Sequence, residues 1–315
     1  MILHSLILVG ASFAGLDPGI GSERPAALED LLGCWEHGEG EFLIRFQATR
    51  VIVNTRDDDP DRPNIRVYQA RYEPGRVSLR SGFETIEWKV EVLDEGIRIV
   101  WPLWEGRLRR LDRVPDSLTL RPAPIAESPV ELTPHRLDSI QRELRARALE
   151  DDKVRRKLDQ ELEMVQRDEY VSLIRGAQRN GEYLKKLIAE VGWIDADRFG
   201  AQAARDAFAI VRHSLDLPLI RAALPWIEKD ARAGILDADD YAHLFDQLRL
   251  YLAEKQRYGT RVLQNDRGEW VIAFLEDPDR LAEFRGELGL GPVSEVAAEF
   301  EKKYGRPVRV VRGDE

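Results

Sequence analysis

At 315 residues the chain is long enough for two domains of ordinary size, each burying its own core. Its 43% hydrophobic and 33% charged residues predict a soluble, folded protein. A formal net charge of -10 counts against a nucleic-acid partner, because a phosphate backbone needs a basic footprint.

The chain opens on an apolar run, residues 1–15, too short to span a bilayer as a helix. Ser12-Phe13-Ala14 places small residues where a signal peptidase reads, which predicts a secretory signal over residues 1–16. The expected location is then periplasmic or secreted, with no integral membrane segment after signal removal. No Lys or Arg precedes the run, and the competing reading is a cytoplasmic protein with an apolar first strand. Residues 17–28 form a short lead. Leu31-Leu32-Gly33-Cys34 matches an acylation box in letters, but Asp17, Glu23, Arg24, Glu29 and Asp30 separate it from the apolar run. Cys34 is the single cysteine, so no intrachain disulfide can form, and beside Trp35 it reads as a small packed residue.

From 42 to 120 the pattern is strand-like. Phe42, Ile44 and Phe46 alternate with polar or outward positions, as do Ile86, Trp88, Val90 and Val92 with Glu87, Lys89 and Glu91. Further strands are expected at residues 51–54, 65–72, 76–80, 97–101, 107–113 and 117–120. Turn signals separate them, among them Glu73-Pro74-Gly75 and Asp94-Glu95-Gly96. Evenly spaced antiparallel strands with one buried face close into a small barrel, since closure removes exposed edges. Gly33-Cys34-Trp35, just ahead of the first strand, resembles the Gly-x-Trp entry of lipocalin-like barrels, over residues 29–122. That resemblance implies an internal cavity for a small apolar ligand; a barrel filled by its own side chains is the plainer expectation at this size.

Pro122, Pro124, Pro129 and Pro134 mark residues 123–135 as a linker, since each removes a backbone donor and restricts its predecessor. Thr133-Pro134 then reads as an N-cap followed by Pro at the first helical position. Beyond it the apolar period becomes helical, with stripes at Leu137, Ile140, Leu144 and Ala148 and at Val154, Leu158, Leu162 and Val165. Their charged opposite face reads as solvated surface. More helices are expected at 181–191, 197–213, 218–233, 239–255, 278–287 and 293–303, with Gly234 a stop and Asp239 a cap. A hairpin is expected from residues 260–264 and 269–275. The predicted fold class is therefore α+β: an antiparallel β-barrel-like domain, then a mainly α-helical domain over residues 136–315.

Polar residues cluster between 193 and 261, where burial is costlier than for Leu or Val. Gly192-Trp193 with Gly200, Arg212-His213-Ser214, Tyr241-Ala242-His243-Leu244-Phe245-Asp246-Gln247, Gln256-Arg257-Tyr258-Gly259-Thr260-Arg261 and Glu276-Asp277-Pro278 stand in one order. That order and spacing resemble a bacterial family of unknown function, DUF6624, over about residues 168–290. The resemblance implies no activity. The family's pattern has Arg at 247 and Gln at 261, whereas this chain has Gln247 and Arg261. If both positions face one site, the exchange keeps one guanidinium there, and Arg261 is expected to pair with Asp246. The rival reading is drift in a copy that has lost activity.

His213, near a helix end, is a candidate general base or ligand donor, and equally a helix cap. Asp246 is the second candidate catalytic group. Trp193, Gln256, Tyr258, Thr260 and Arg261 are candidate ligand-binding residues, with a core role the alternative for Trp193. His213, His243 and Asp246 are discounted as a metal set, and Asp195-Ala196-Asp197 as a calcium loop because Phe199 takes a ligand position. No nucleophile elbow, Walker loop or His-Glu-x-x-His is present, and no cofactor is expected. The leading function is binding of a small or peptidic ligand in a polar pocket of the helical domain. The alternatives are acid/base catalysis by His213 and an inactive scaffold.

Overall fold

The computed structural model describes residues 24–38, 42–55, 65–101, 104–115, 118–127, 130–160, 167–214 and 216–312. The predicted signal segment and the first part of the lead lie outside the described residues. The chain divides into two compact units, one running to Thr119 and the other beginning at Leu120.

The first unit starts with β1 (Arg24–Pro25) and the short helix α1 (Leu28–Leu31). There follow β2 (Gly33–His37), β3 (Phe42–Phe46), β4 (Arg50–Thr55), β5 (Ile65–Glu73), β6 (Arg76–Ser81), β7 (Glu84–Leu93), β8 (Gly96–Trp101) and β9 (Trp104–Leu111). Each strand from β2 onward pairs antiparallel with the next, and β9 returns to β2, closing an eight-stranded barrel. Barrel closure is thus the architecture that the strand alternation predicted, and it is consistent with the lipocalin-like resemblance of the Gly-x-Trp segment. β1 lies outside the ring and pairs with β7 through Arg24↔Val92 and Pro25↔Glu91, beyond the reach of β6.

The inward faces meet in one core. Phe46, Leu79, Trp88, Ile97 and Ile99 are essentially inaccessible, and Phe46 meets Trp88 edge-on with ring centroids 6.3 Å apart. Full burial of each such side chain contributes about 1.5–3 kcal/mol, so this core is what holds the barrel closed. Trp35 fills the core from β2, and its indole nitrogen donates to the Leu31 carbonyl at 2.7 Å. Arg110 from β9 covers that ring, its guanidinium carbon 5.5 Å from the centroid, and donates to the Leu32 carbonyl at 2.7 Å. The Gly-x-Trp segment is therefore the first strand of the ring itself, not a lead-in to it.

Residues 117–120 were expected to form a strand, and the described part of that segment does not. Leu118 sits in a turn, its N–H donating to the Pro115 carbonyl, and Leu120 has φ +52°. The β2–β9 seam leaves the ring without a free edge for another strand. The alternating leucines serve as anchors instead, and Leu118 is fully buried.

The second unit contains α2 (Pro134–Gln160), α3 (Arg167–Val191), α4 (Ala196–His213), α5 (Leu217–Arg232) and α6 (Ala238–Tyr251). They are followed by β10 (Leu263–Gln264), β11 (Trp270–Ile272), α7 (Leu281–Glu287), α8 (Val293–Tyr304) and β12 (Val308–Val310). Thr133 caps α2 as expected, its hydroxyl accepting from Arg136 N–H at 3.2 Å. Asp239 is not the cap of α6. That role falls to Asp237, whose carboxylate accepts from the Asp239 N–H at 3.0 Å. The expected hairpin gains a third strand, because β12 pairs parallel with β11. The proline-bearing segment is held along the helices: Ala123 N–H donates to Pro218 and Ala126 N–H to Ile188. Among the described residues no helix is long and apolar enough to cross a membrane.

Candidate functional site

The motif-bearing residues divide into a set that shapes a loop and a set that faces partly outward. Asp246, on α6, is fully buried. Its Oδ1 accepts from the backbone N–H groups of Arg257 and Tyr258 at 2.8 and 3.1 Å. Its Oδ2 accepts from the N–H and hydroxyl of Thr260, both at 2.9 Å. Burial pushes this carboxyl above its ordinary range, and the Thr260, Tyr258 and Arg257 donors oppose that push. Gln256, also fully buried, completes the clamp. Its amide accepts from Arg261 N–H at 2.8 Å and donates to the Ala273 carbonyl at 2.8 Å. Gly259 turns the loop at φ +64°, and a Cβ there would lie 3.3 Å from Leu275 and Val293 side chains. Arg285 secures the far side by donating to the Tyr258 carbonyl at 2.8 Å.

Asp246, Gln256 and Thr260 therefore spend their hydrogen-bonding capacity on shaping the loop 256–261 and tying it to α6 and Ala273. Tyr258 is buried in an aromatic group, its ring 5.3 Å from Phe245 and 6.2 Å from Tyr241. Trp193, between α3 and α4, is buried, and its indole nitrogen has no hydrogen-bond partner among the described residues. No ring contact or hydrogen bond brings it to the other candidates among those residues.

The loop delivers Arg261, and the expected pairing of Arg261 with Asp246 is not what the structure shows. Among the described residues no ion pair joins them, because the Asp246 oxygens are already filled by loop donors. Arg261 instead donates through Nη1 to Nε2 of His243, one turn before Gln247 on α6. Burial lowers the Arg261 guanidinium, with Tyr251 and Asp246 acting against it. Gln247 donates to the Tyr251 hydroxyl at 3.2 Å. Positions 247 and 261 thus share Tyr251 as a neighbour, and the guanidinium bonds to His243 and not to Asp246.

His213, the last residue of α4, is half-buried. Its Nδ1 lies 2.5 Å from Oδ2 of Asp151 on α2, and Asp151 also pairs with Arg155 at 2.8 Å. Arg212 donates through Nε to the His213 Nε2 at 3.3 Å and through Nη1 to Asp240 at 2.7 Å. These partners define a neutral imidazole with its proton on Nδ1, facing the carboxylate. The net shifts agree. Burial lowers His213 more than Asp151 raises it. Burial would raise Asp151, but hydrogen bonds from His213 and Arg155 hold it below the usual range. His243 is pushed down to about 4 by burial, then by Arg261 and Arg212. Arg212, bonded to His213, also reaches Asp240, one turn before His243 on α6, and this contact links the two imidazoles into one polar cluster.

Asp151, Arg155, Arg212 and Asp240 belong to this cluster and were not among the expected site residues. Asp151 and Arg155 sit in the charged stripe of α2, which looks like any solvated face. The one available cue was a carboxylate on the same helix phase as Leu144 and Ala148. Among the described residues no group of three His, Cys, Asp or Glu side chains is arranged to hold a metal. In the barrel unit an open groove of about 390 Å³ is lined by Arg24, Pro25, Pro74, Gly75, Arg76, Lys89, Val90 and Glu91. Two of its cations are already engaged, Arg24 with Asp30 and Arg76 with Glu87.

Residues 138–309, more than half of the chain, match the model of a family of unknown function, DUF6624. The match spans every helix-borne residue of the polar cluster. No curated protein and no solved structure matches the chain.

Proposed function

We infer that this chain, which belongs to the DUF6624 family, binds a small or peptidic ligand at the half-buried cluster of Arg212, His213, His243 and Arg261. The convergence of four separate elements carries this reading: α2 supplies Asp151, α4 supplies Arg212 and His213, α6 supplies His243, and the loop supplies Arg261. A scaffold would need no cation that donates to a neutral imidazole in place of a carboxylate. The barrel is read as an accessory module.

Mass spectrometry of the intact full-length protein under native conditions tests this. The purified chain, exposed to a metabolite extract, is expected to retain a bound species. His213→Ala and Arg261→Gln are expected to retain at least about tenfold less, the equivalent of about 1.4 kcal/mol. Equal retention by all three proteins, or none by any, overturns the reading.

The Asp151–His213 contact favours a second reading, acid/base chemistry. A carboxylate on Nδ1 orients an imidazole for proton transfer at Nε2. In this geometry Arg212 occupies Nε2, so the ring is a base only once Arg212 has moved. Catalysis is distinguished by His213→Ala abolishing a turnover while leaving ligand affinity largely unchanged.

The apolar start of the chain supports export to the periplasm or beyond. Amino-terminal sequencing of protein recovered from a secreting host is expected to begin within residues 15–17. A start at Met1 or Ile2 overturns that reading.

A further inference from the structure

Arg261 is held in an unusual way for a guanidinium. It is permanently charged, largely enclosed, and among the described residues it has no carboxylate in hydrogen-bond or ion-pair contact, the Asp246 charge acting on it only from farther off. Its acceptor is His243, a neutral ring. A buried cation ordinarily takes an anion, because only an opposite charge with good geometry offsets the loss of hydration. Arg212 repeats the arrangement in part, with Nε on the neutral His213 and only Nη1 on an acid, Asp240. Among these groups Arg155 pairs with Asp151 and Arg212 with Asp240, whereas Arg261 has no ion pair among the described residues and meets the Asp246 charge only through space. The Tyr251 hydroxyl, which accepts from the Gln247 amide, also acts on Arg261 and adds a neutral hydrogen-bonding group.

The geometry points to an oxyanion, a carboxylate or phosphate group of the ligand, as the partner of Arg261, seated against His243 with Arg212 as the second cation. This rests on the binding reading above and names the chemistry it takes. The anion accepts the guanidinium hydrogens that the imidazoles now accept. Arg261 thereby leaves Nε2 of His243, and Arg212 leaves Nε2 of His213. Planar, two-pronged donation suits Arg and not Lys for this task. Occupation by an oxyanion also uncovers the lone pair of each imidazole, so the ligand's own charge readies the ring beside it.

The test follows the imidazole nitrogens of the full chain, labelled at histidine, by nuclear magnetic resonance. Sodium phosphate, sodium acetate and neutral acetamide are titrated in separately, with sodium chloride holding ionic strength constant. Phosphate or acetate is expected to move the Nε2 signals of both His213 and His243, saturating near or below about 1 mM. The anion that does so separates a phosphate group from a carboxylate. Arg261→Gln is expected to abolish the response at His243, and Arg261→Lys to weaken it at least tenfold. Circular dichroism confirms that each variant is folded. A response to acetamide but to neither anion overturns the oxyanion and leaves the binding reading intact. Silence with all three probes also overturns it, and the binding reading then answers to the retained-ligand measurement alone. An undiminished response in Arg261→Gln overturns the assignment to Arg261.

Discussion

Asp246→Asn is expected to destabilise the helical unit by about 3–5 kcal/mol, the range for removing one partner from a buried charged network. The wild-type carboxylate offers both oxygens to four donors, three of them backbone N–H groups that have no other acceptor in view. An amide keeps one oxygen and turns an NH₂ group toward the rest. Donor then faces donor in a place from which water is excluded. Urea unfolding of the full chain measures the loss. Hydrogen exchange locates it, with Arg257, Tyr258 and Thr260 amides losing protection while the barrel keeps its own. A loss under about 1 kcal/mol would mean that the loop holds its shape without Asp246, and that the clamp is incidental.

A comparable effect is expected in the other unit from Gly96→Ala. Gly96 begins β8 with φ +117°, and a Cβ built there would stand 2.2 Å from the carbonyl oxygen of Leu108. That neighbour is backbone of β9 and cannot swing aside as a side chain would. The strained dihedral and the forced displacement together are expected to cost about 2–6 kcal/mol. Protection should fall along β7, β8 and β9 and remain in α2 through α6. Unchanged exchange in β9 would show that the turn relaxes without moving its neighbour.

Strands that bury one face were legible because the barrel enforces a period of two. Ile86, Trp88, Val90 and Val92 alternate without a break, and β7 spans all four. What escaped was either short or dependent on a distant partner. β12 is three residues long and exists because β11 accepts it in parallel, which nothing near Val308 encodes. α3 extends well upstream of residue 181, where Gly176 and Gly181 weaken the local helix signal and packing supplies the rest. The same division holds for the site. Polar residues in a helical segment, together with the motif order, pointed to His213, Asp246 and Arg261. Their pairings did not follow. Asp246 met backbone donors, which every residue type possesses, and so left no trace in composition. Asp151 stood among arginines and glutamates on a charged helix, where one selected carboxylate looks like its neighbours.

The seam between β2 and β9 differs from every other junction of the ring. The rest join strands adjacent in the chain, whereas Cys34↔Leu111, Trp35↔Arg110 and Glu36↔Arg109 unite its two ends. A nascent chain leaving the ribosome can zip β2 through β8 as successive hairpins, yet it must expose Trp35 until β9 has been translated. Closure is then a late, long-range event, slow by comparison with helix docking. Until Arg110 lies over the indole, one face of that tryptophan stays open to water.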